Sequence, residues 1–197
     1  METTGELLDL PLREFVDRLA AEEPAPASGS AAALLVSMAA ALIAKVARGS
    51  PDWLAAGGAV AQAERLRKRT AMLAQADADA YEEALAALRL PEGLEKQVRD
   101  MAIGGMLGRT LEVLLAIADA GADVATLGAD AVERGALDRR PDAVAAAVLA
   151  DAGARAAAYL VEVNLVVTPD DERVQRARAA TEVASTAVRS ALNTAST

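Results

Sequence analysis

Neither cysteine nor histidine occurs anywhere in the 197 residues. The first absence removes disulfides, which fits a cytosolic home. The two together argue against zinc in its usual His/Cys coordination. They also exclude a Ser-His-Asp triad, a Cys-His pair and any histidine base. Proton transfer in this chain therefore falls to Asp, Glu, Lys, Tyr or water. Aromatic residues are scarce as well, at 2%, while the hydrophobic fraction is 53% and alanine is the commonest residue. A core short of rings and rich in alanine fits closely packed helices, because small side chains let backbones approach. No convincing strand-like alternation appears. A GxGxxG or P-loop run is also missing, so a nucleotide cofactor has no support and none is expected. The net charge of −9 opposes a nucleic-acid partner, for which a basic face would be needed. The opening METTGELLDLPLREF lacks the basic-then-apolar layout of a secretory signal. The longest apolar run, Ala31 to Ala44, is shorter than the roughly 20 residues a bilayer requires. No membrane partner is expected.

What is present is organised around Pro24 to Val46, PAPASGSAAALLVSMAAALIAKV. Pro24 and Pro26 keep the approach extended. Ser28, Gly29 or Ser30 can cap the helix that follows, since a serine oxygen accepts from the free N–H groups of a first turn. From Ala31 to Ala44 only Ser37 is polar. A helix apolar all round is expected to be buried all round. The predicted fold is therefore all-α: a single-domain multi-helix bundle over residues 1–197, built around a buried Ala-rich central helix.

The other helices follow from spacing and punctuation. Leu7, Leu8, Leu10, Leu12, Phe15, Val16 and Leu19 mark an amphipathic helix over about 11–21. A long helix is expected over 58–88, with Leu66, Leu73 and Ala80 recurring every seven residues. A turn is expected at Leu90-Pro91-Glu92-Gly93. The next helix is predicted over 94–119, with Gly104, Gly105 and Gly108 inside it read as sites of close helix packing. Gly121 is expected to break it, with a short helix on to about Arg134. Further helices are predicted over 142–167 and, after a stop and restart at Thr168-Pro169-Asp170-Asp171, on to about Leu192.

In order and spacing these landmarks resemble the formiminotetrahydrofolate cyclodeaminase / methenyltetrahydrofolate cyclohydrolase family. The family has a leucine-rich helix, then P-x-P-G-G-G-S and an Ala-rich helix. Pro24, Pro26, Gly29 and Ser30 match, with Ala27 and Ser28 where the first two glycines belong. Asp77, Ala80, Tyr81 and Leu90-Pro91 match a second run, and Asp142 with Val163-Asn164-Leu165 a third. Departures fall at Glu92, Thr110 and the Leu137-to-Pro141 turn.

The resemblance implies an all-helical folate enzyme, a homodimer, with a tetrahydrofolate derivative as substrate and no further cofactor. Hydrolysis of methenyltetrahydrofolate or cyclisation of formiminotetrahydrofolate needs a carboxylate near a cationic carbon and a group that moves protons. With no histidine, Asp77 and Asp142 are the catalytic candidates. Gly29, Ser30 and Asn164 are the substrate-binding candidates. The bland readings are a solvated or salt-bridged Asp77, a capping Asp142, an N-capping Ser30 and a C-terminal hydrogen bond at Asn164. Arg65, Arg67, Lys68, Arg139 and Arg140 are candidates for the folate's glutamate tail. A catalytically degenerate folate binder and a purely structural module are the alternatives.

Overall fold

The structure, a computed structural model, describes residues 7–88, 96–165 and 171–196. Among them are six α-helices and no strand. A 3-10 turn, Leu7–Asp9, precedes α1 (Leu12–Ala20), α2 (Ser28–Arg48), α3 (Ala56–Leu88) and α4 (Lys96–Arg134). A second 3-10 turn, Leu137–Arg139, leads into α5 (Arg140–Asn164), and α6 (Glu172–Ala195) closes the order. The turn expected at Leu90 to Gly93 and the stretch Thr168 to Asp170 lie outside the described residues.

α2 is the central helix, as its apolar run implied. It packs against α3, α4 and α5, and Val36, Ala39, Ala40, Ile43 and Ala44 are fully buried. Its two internal serines reach across to α3: Ser30 Oγ donates to the Ala74 carbonyl and Ser37 Oγ to that of Arg67, each at 2.9 Å. Seven residues forward on α2 match seven backward on α3, so the two helices run antiparallel. These bonds satisfy hydroxyls that burial would otherwise leave costly.

Burial is not complete around α2. Met38 is exposed, and Leu35, Ala41 and Leu42 are half-covered on the same side. The expectation of all-round burial fails along this strip, because helices cover the other sides only. The helix as formed has 21 residues, and both it and the stretch Leu137–Asn164 are long and apolar enough to cross a membrane. Both lie largely against neighbouring helices of the bundle, as core helices do.

α4 corrects a second expectation. It runs unbroken through Gly121. A Cβ there would lie 2.8 Å from the Ala154 Cβ and 3.0 Å from the Ala150 carbonyl oxygen of α5. Gly121 is therefore a close-packing residue, not a break. The reverse holds at Gly104, Gly105 and Gly108, where an added Cβ would meet nothing within 4 Å. Among the described residues, these glycines pack against no other helix. They lie where α3 and α4 project as a pair, and no described side chain between residues 81 and 110 is buried.

α1 is amphipathic, but its inward face is narrow. Phe15 is buried with Leu7 and Ala78, while Leu8, Leu12 and Val16 are exposed. α6 lies on α4 and α5 through a row of alanines. Arg176 pairs with Asp119, and Arg178 with Glu162 at 2.8 Å.

Candidate functional site around the first turn of the central helix

The first turn of α2 lacks a cap of its own. Ala27 holds the N-cap position with an extended backbone, φ −131° and ψ −161°, and no side-chain cap bond forms. The serine cap expected from sequence is absent. Its place is taken from α3, 47 residues away, by Asp77. Ser30 Oγ lies 2.9 Å from Asp77 Oδ2, and the Ser30 backbone N–H also donates to that carboxyl group. A carboxyl group against the free N–H groups of a first turn meets both their hydrogen-bonding need and the helix dipole.

Gly29 makes this approach possible. A Cβ on Gly29 would stand 2.1 Å from Asp77 Oδ1 and 2.5 Å from its Cγ. The glycine is needed for space, since no described glycine has positive φ. Asp77 is only 8% exposed. Burial pushes its carboxyl above the ordinary range, against the hydrogen bonds from Ser30 that pull it down.

Asp142 stands elsewhere. It lies in the first turn of α5, as expected, and its Oδ2 is 2.7 Å from Lys45 Nζ, near the far end of α2. Ser30 and Lys45 are 15 residues apart, about 22 Å along a helix at 1.5 Å per residue. One copy of the chain thus keeps Asp77 and Asp142 at opposite ends of the bundle. Asn164 ends α5, and its Nδ2 donates to the Leu160 carbonyl at 2.8 Å. α2 and α5 are antiparallel, because Asp142 meets Lys45 and Gly153 meets Val36. Extending that register by a further 11 residues brings Asn164 to the Asp77 end. Gly29, Ser30, Asp77 and Asn164 therefore share one end of the molecule.

Two acids that sequence reasoning passed over flank this end. Asp79 and Glu82 line a hollow of about 220 Å³ with Leu7, Ala25, Pro26, Gln75 and Ala78. Ala25 and Glu82 also line an adjoining hollow of about 420 Å³ with Arg18, Glu23 and Pro24. The signal was available: Asp79 and Glu82 are three apart and so share a helix face. A hollow of similar size, about 430 Å³, lies away from Asp77 between α4 and α6, beside Asp130, Glu133 and Glu182. No cluster of three or more acids fit to hold a metal occurs among the described residues. Of the basic candidates, Arg67 is engaged by Glu64 at 2.7 Å, while Arg139 lies over Gly49 and 3.3 Å from Asp138. Arg65 and Lys68 are exposed on the outer side of α3, with Arg69 beside them.

Residues 11–185, nearly the whole of this arrangement, match the formiminotransferase-cyclodeaminase family. The chain belongs to that family. Its fold is also similar to that of formiminotetrahydrofolate cyclodeaminase from Thermotoga maritima, with a TM-score of 0.79 at 22% identity over 96% of each chain. A comparison with curated protein sequences gives no match. In this member of the formiminotransferase-cyclodeaminase family, the helix start at Gly29-Ser30 is built jointly by α2 and α3. The substitutions at Ala27 and Ser28 fall where the backbone is extended and helical, and neither conformation requires glycine.

Proposed function

We propose that this chain is a folate one-carbon enzyme that hydrolyses methenyltetrahydrofolate or cyclises formiminotetrahydrofolate with release of ammonia. The observation that carries this reading is the Gly29–Ser30–Asp77 junction, within a chain that belongs to the formiminotransferase-cyclodeaminase family. A buried carboxyl group at a helix start, with Asp79 and Glu82 lining a hollow beside it, suits a substrate whose reacting carbon is cationic. Asp77 moves the proton, and the exposed acids favour the cation. Gly29 and Ser30 lie buried beneath the site, where they hold the Asp77 carboxyl in place under the substrate, and Asn164 supplies an amide at the same end. The exposed Arg65 and Lys68, with Arg69, offer charge to the folate's carboxylates. No metal and no further cofactor enter this scheme, and the absence of cysteine fits a cytoplasmic enzyme.

The working unit in this reading is a homodimer. The outer side of α5 carries Ala145, Val148, Ala152, Ala156, Tyr159 and Val163, all exposed, with the one exposed cation among them, Arg155, turned to Asp151 and to Ser185 of α6. Contiguous exposed apolar surface of this kind marks a partner face. The Lys45–Asp142 pair ties this stripe to the open strip of α2 that holds Met38. A two-fold pairing that sets the two α5 helices antiparallel would bring the Asp142 end of one copy to the Asp77 end of the other. That would give Asp142 its part in the reaction.

The test is incubation of folded protein with each folate. We expect one of them to be consumed faster than in buffer, and the acceleration to be lost in D77N and in D142N. Failure of the folded wild-type protein to turn over either folate overturns the reading.

A further inference from the structure

The Ser30 hydroxyl has one hydrogen and two acceptors. Its Oγ lies 2.9 Å from the Ala74 carbonyl oxygen and 2.9 Å from Asp77 Oδ2. Both are hydrogen-bond distances. With Asp77 ionised, only one contact can contain a hydrogen, and the other presses two oxygen lone pairs together in a buried place. Ser30 is wholly buried, so water cannot reach it to relieve that contact. With Asp77 protonated, both contacts become hydrogen bonds: Asp77 Oδ2–H donates to Ser30 Oγ, and Ser30 Oγ–H donates to Ala74.

The surroundings favour the neutral form. α2 carries no charged residue before Lys45. From the α1 side, the groups packed on neighbouring Ala78 are Leu7 and Phe15. Arg18 of α1 is occupied by Glu14 at 2.6 Å. Arg109 of α4 is occupied by Glu83 at 2.6 Å. The nearest charges along α3, Asp79 and Glu82, are acids and oppose a further negative charge. On α5, the groups at this end are Glu162, which is paired with Arg178 of α6 at 2.8 Å, and the neutral Asn164. Among the described groups, an anion would be favoured by the Ser30 hydroxyl, when it turns from Ala74 to donate to Asp77, by the Ser30 amide and by the N-terminus of α2. Burial outweighs them in direction.

We propose that Asp77 is held as the neutral carboxylic acid, and that Ser30 is the positioning residue that accepts its proton's hydrogen bond. This rests on the folate reading only for what the acid is used for. There, Asp77 protonates the departing nitrogen as its C–N bond breaks. The nitrogen keeps the bonding pair and takes the Asp77 proton, and the resulting carboxylate is reprotonated from solvent.

The experiment needs no substrate. Protein carrying 13C at its aspartate carboxyls is titrated by NMR, with D77N identifying the Asp77 signal. Asp77 should stay protonated after the exposed aspartates have ionised, and S30A should lower its midpoint, because the acceptor that favours the neutral acid is gone. If the hydroxyl instead donates to an ionised carboxylate, S30A will raise the midpoint, and that sign overturns the proposal. So does a wild-type Asp77 that titrates with the exposed acids, a result that needs no S30A protein. D77N should melt close to wild type, since an amide can donate to Ser30 Oγ as the acid does; a D77N protein that fails to fold also overturns it. Lack of turnover with both folates would remove the folate reading and leave this titration unaffected.

Discussion

Gly29 is fixed by a neighbour and not by its own backbone. Its Cα faces the Asp77 carboxyl, and a methyl group added there would overlap it at 2.1 Å. G29A should therefore displace Asp77 and uncap α2, at a cost of about 2 kcal/mol or more. Chemical denaturation would read this as a lower midpoint. S28G should be near neutral by comparison, because Ser28 is already helical and gains nothing from glycine's freedom. Asp77 also sets a pH dependence. Its folded-state value lies above the ordinary 3.8, so the stability it confers is complete below that pH and is lost as pH rises through the folded-state value. D77N has no such titration. Its stability relative to wild type should rise from acid to neutral pH when denaturation midpoints of the two are compared. Little of this was legible in the chain. Local rules named three capping candidates at Ser28 to Ser30, but the cap came from a residue 47 positions away. Family resemblance marked both Gly29 and Asp77 without indicating that they touch.

Among the elements, the glycines of α4 separate two kinds of tolerance. Gly121 lies against Ala150 and Ala154, so the α4–α5 separation depends on its missing side chain. Gly105 lies on an exposed side with no atom within 4 Å of a new Cβ. G105A should stabilise the protein by about 1 kcal/mol through helix propensity, whereas G121A should destabilise it by about 1–3 kcal/mol through overpacking. Thermal melts of the pair decide this directly. A destabilised G105A would show that the exposed glycine side is in contact with something in solution. Sequence reasoning inverted these roles. A glycine in a helical pattern costs the same helix propensity whether it packs or not, so propensity alone cannot tell a contact from an open face. Helix existence was more legible. The entry to α2 and the extent of α3 were placed within a few residues, because Pro24 and Pro26 punctuate the chain before α2 and helical spacing runs unbroken over 58–88.

For the whole molecule, the uncovered apolar side of α2 and α5 is the main unfinished surface. Met38 is 52% exposed and Tyr159 66%, in a chain with only four aromatic residues. V148E combined with Y159E should convert a dimer to monomers in sedimentation velocity, since two charges on each copy would be buried at the pairing face. Folate turnover should fall with it if Asp142 acts across the pair. A wild-type protein that sediments as a monomer at micromolar concentration would remove this arrangement. In the proposed pairing, Asp142 of one copy would meet Asp77 of the other, which a single copy does not allow. The resemblance marks both acids, each in its own motif, and the antiparallel register of α2 and α5 holds them at opposite ends of each copy.

By itself, the sequence determined that the protein is helical, that α2 is central and that no histidine or cysteine chemistry is available to it. Those properties follow from composition and local periodicity: missing histidine and cysteine, scarce aromatics, and an apolar run with punctuated ends. The joining of Asp77 to Gly29, the parting of Asp77 from Asp142 and the packing of Gly121 were decided by tertiary structure. Each depends on the relative register of two helices. Register is set by how small side chains interlock over whole interfaces, and no local pattern in an alanine-rich chain records it.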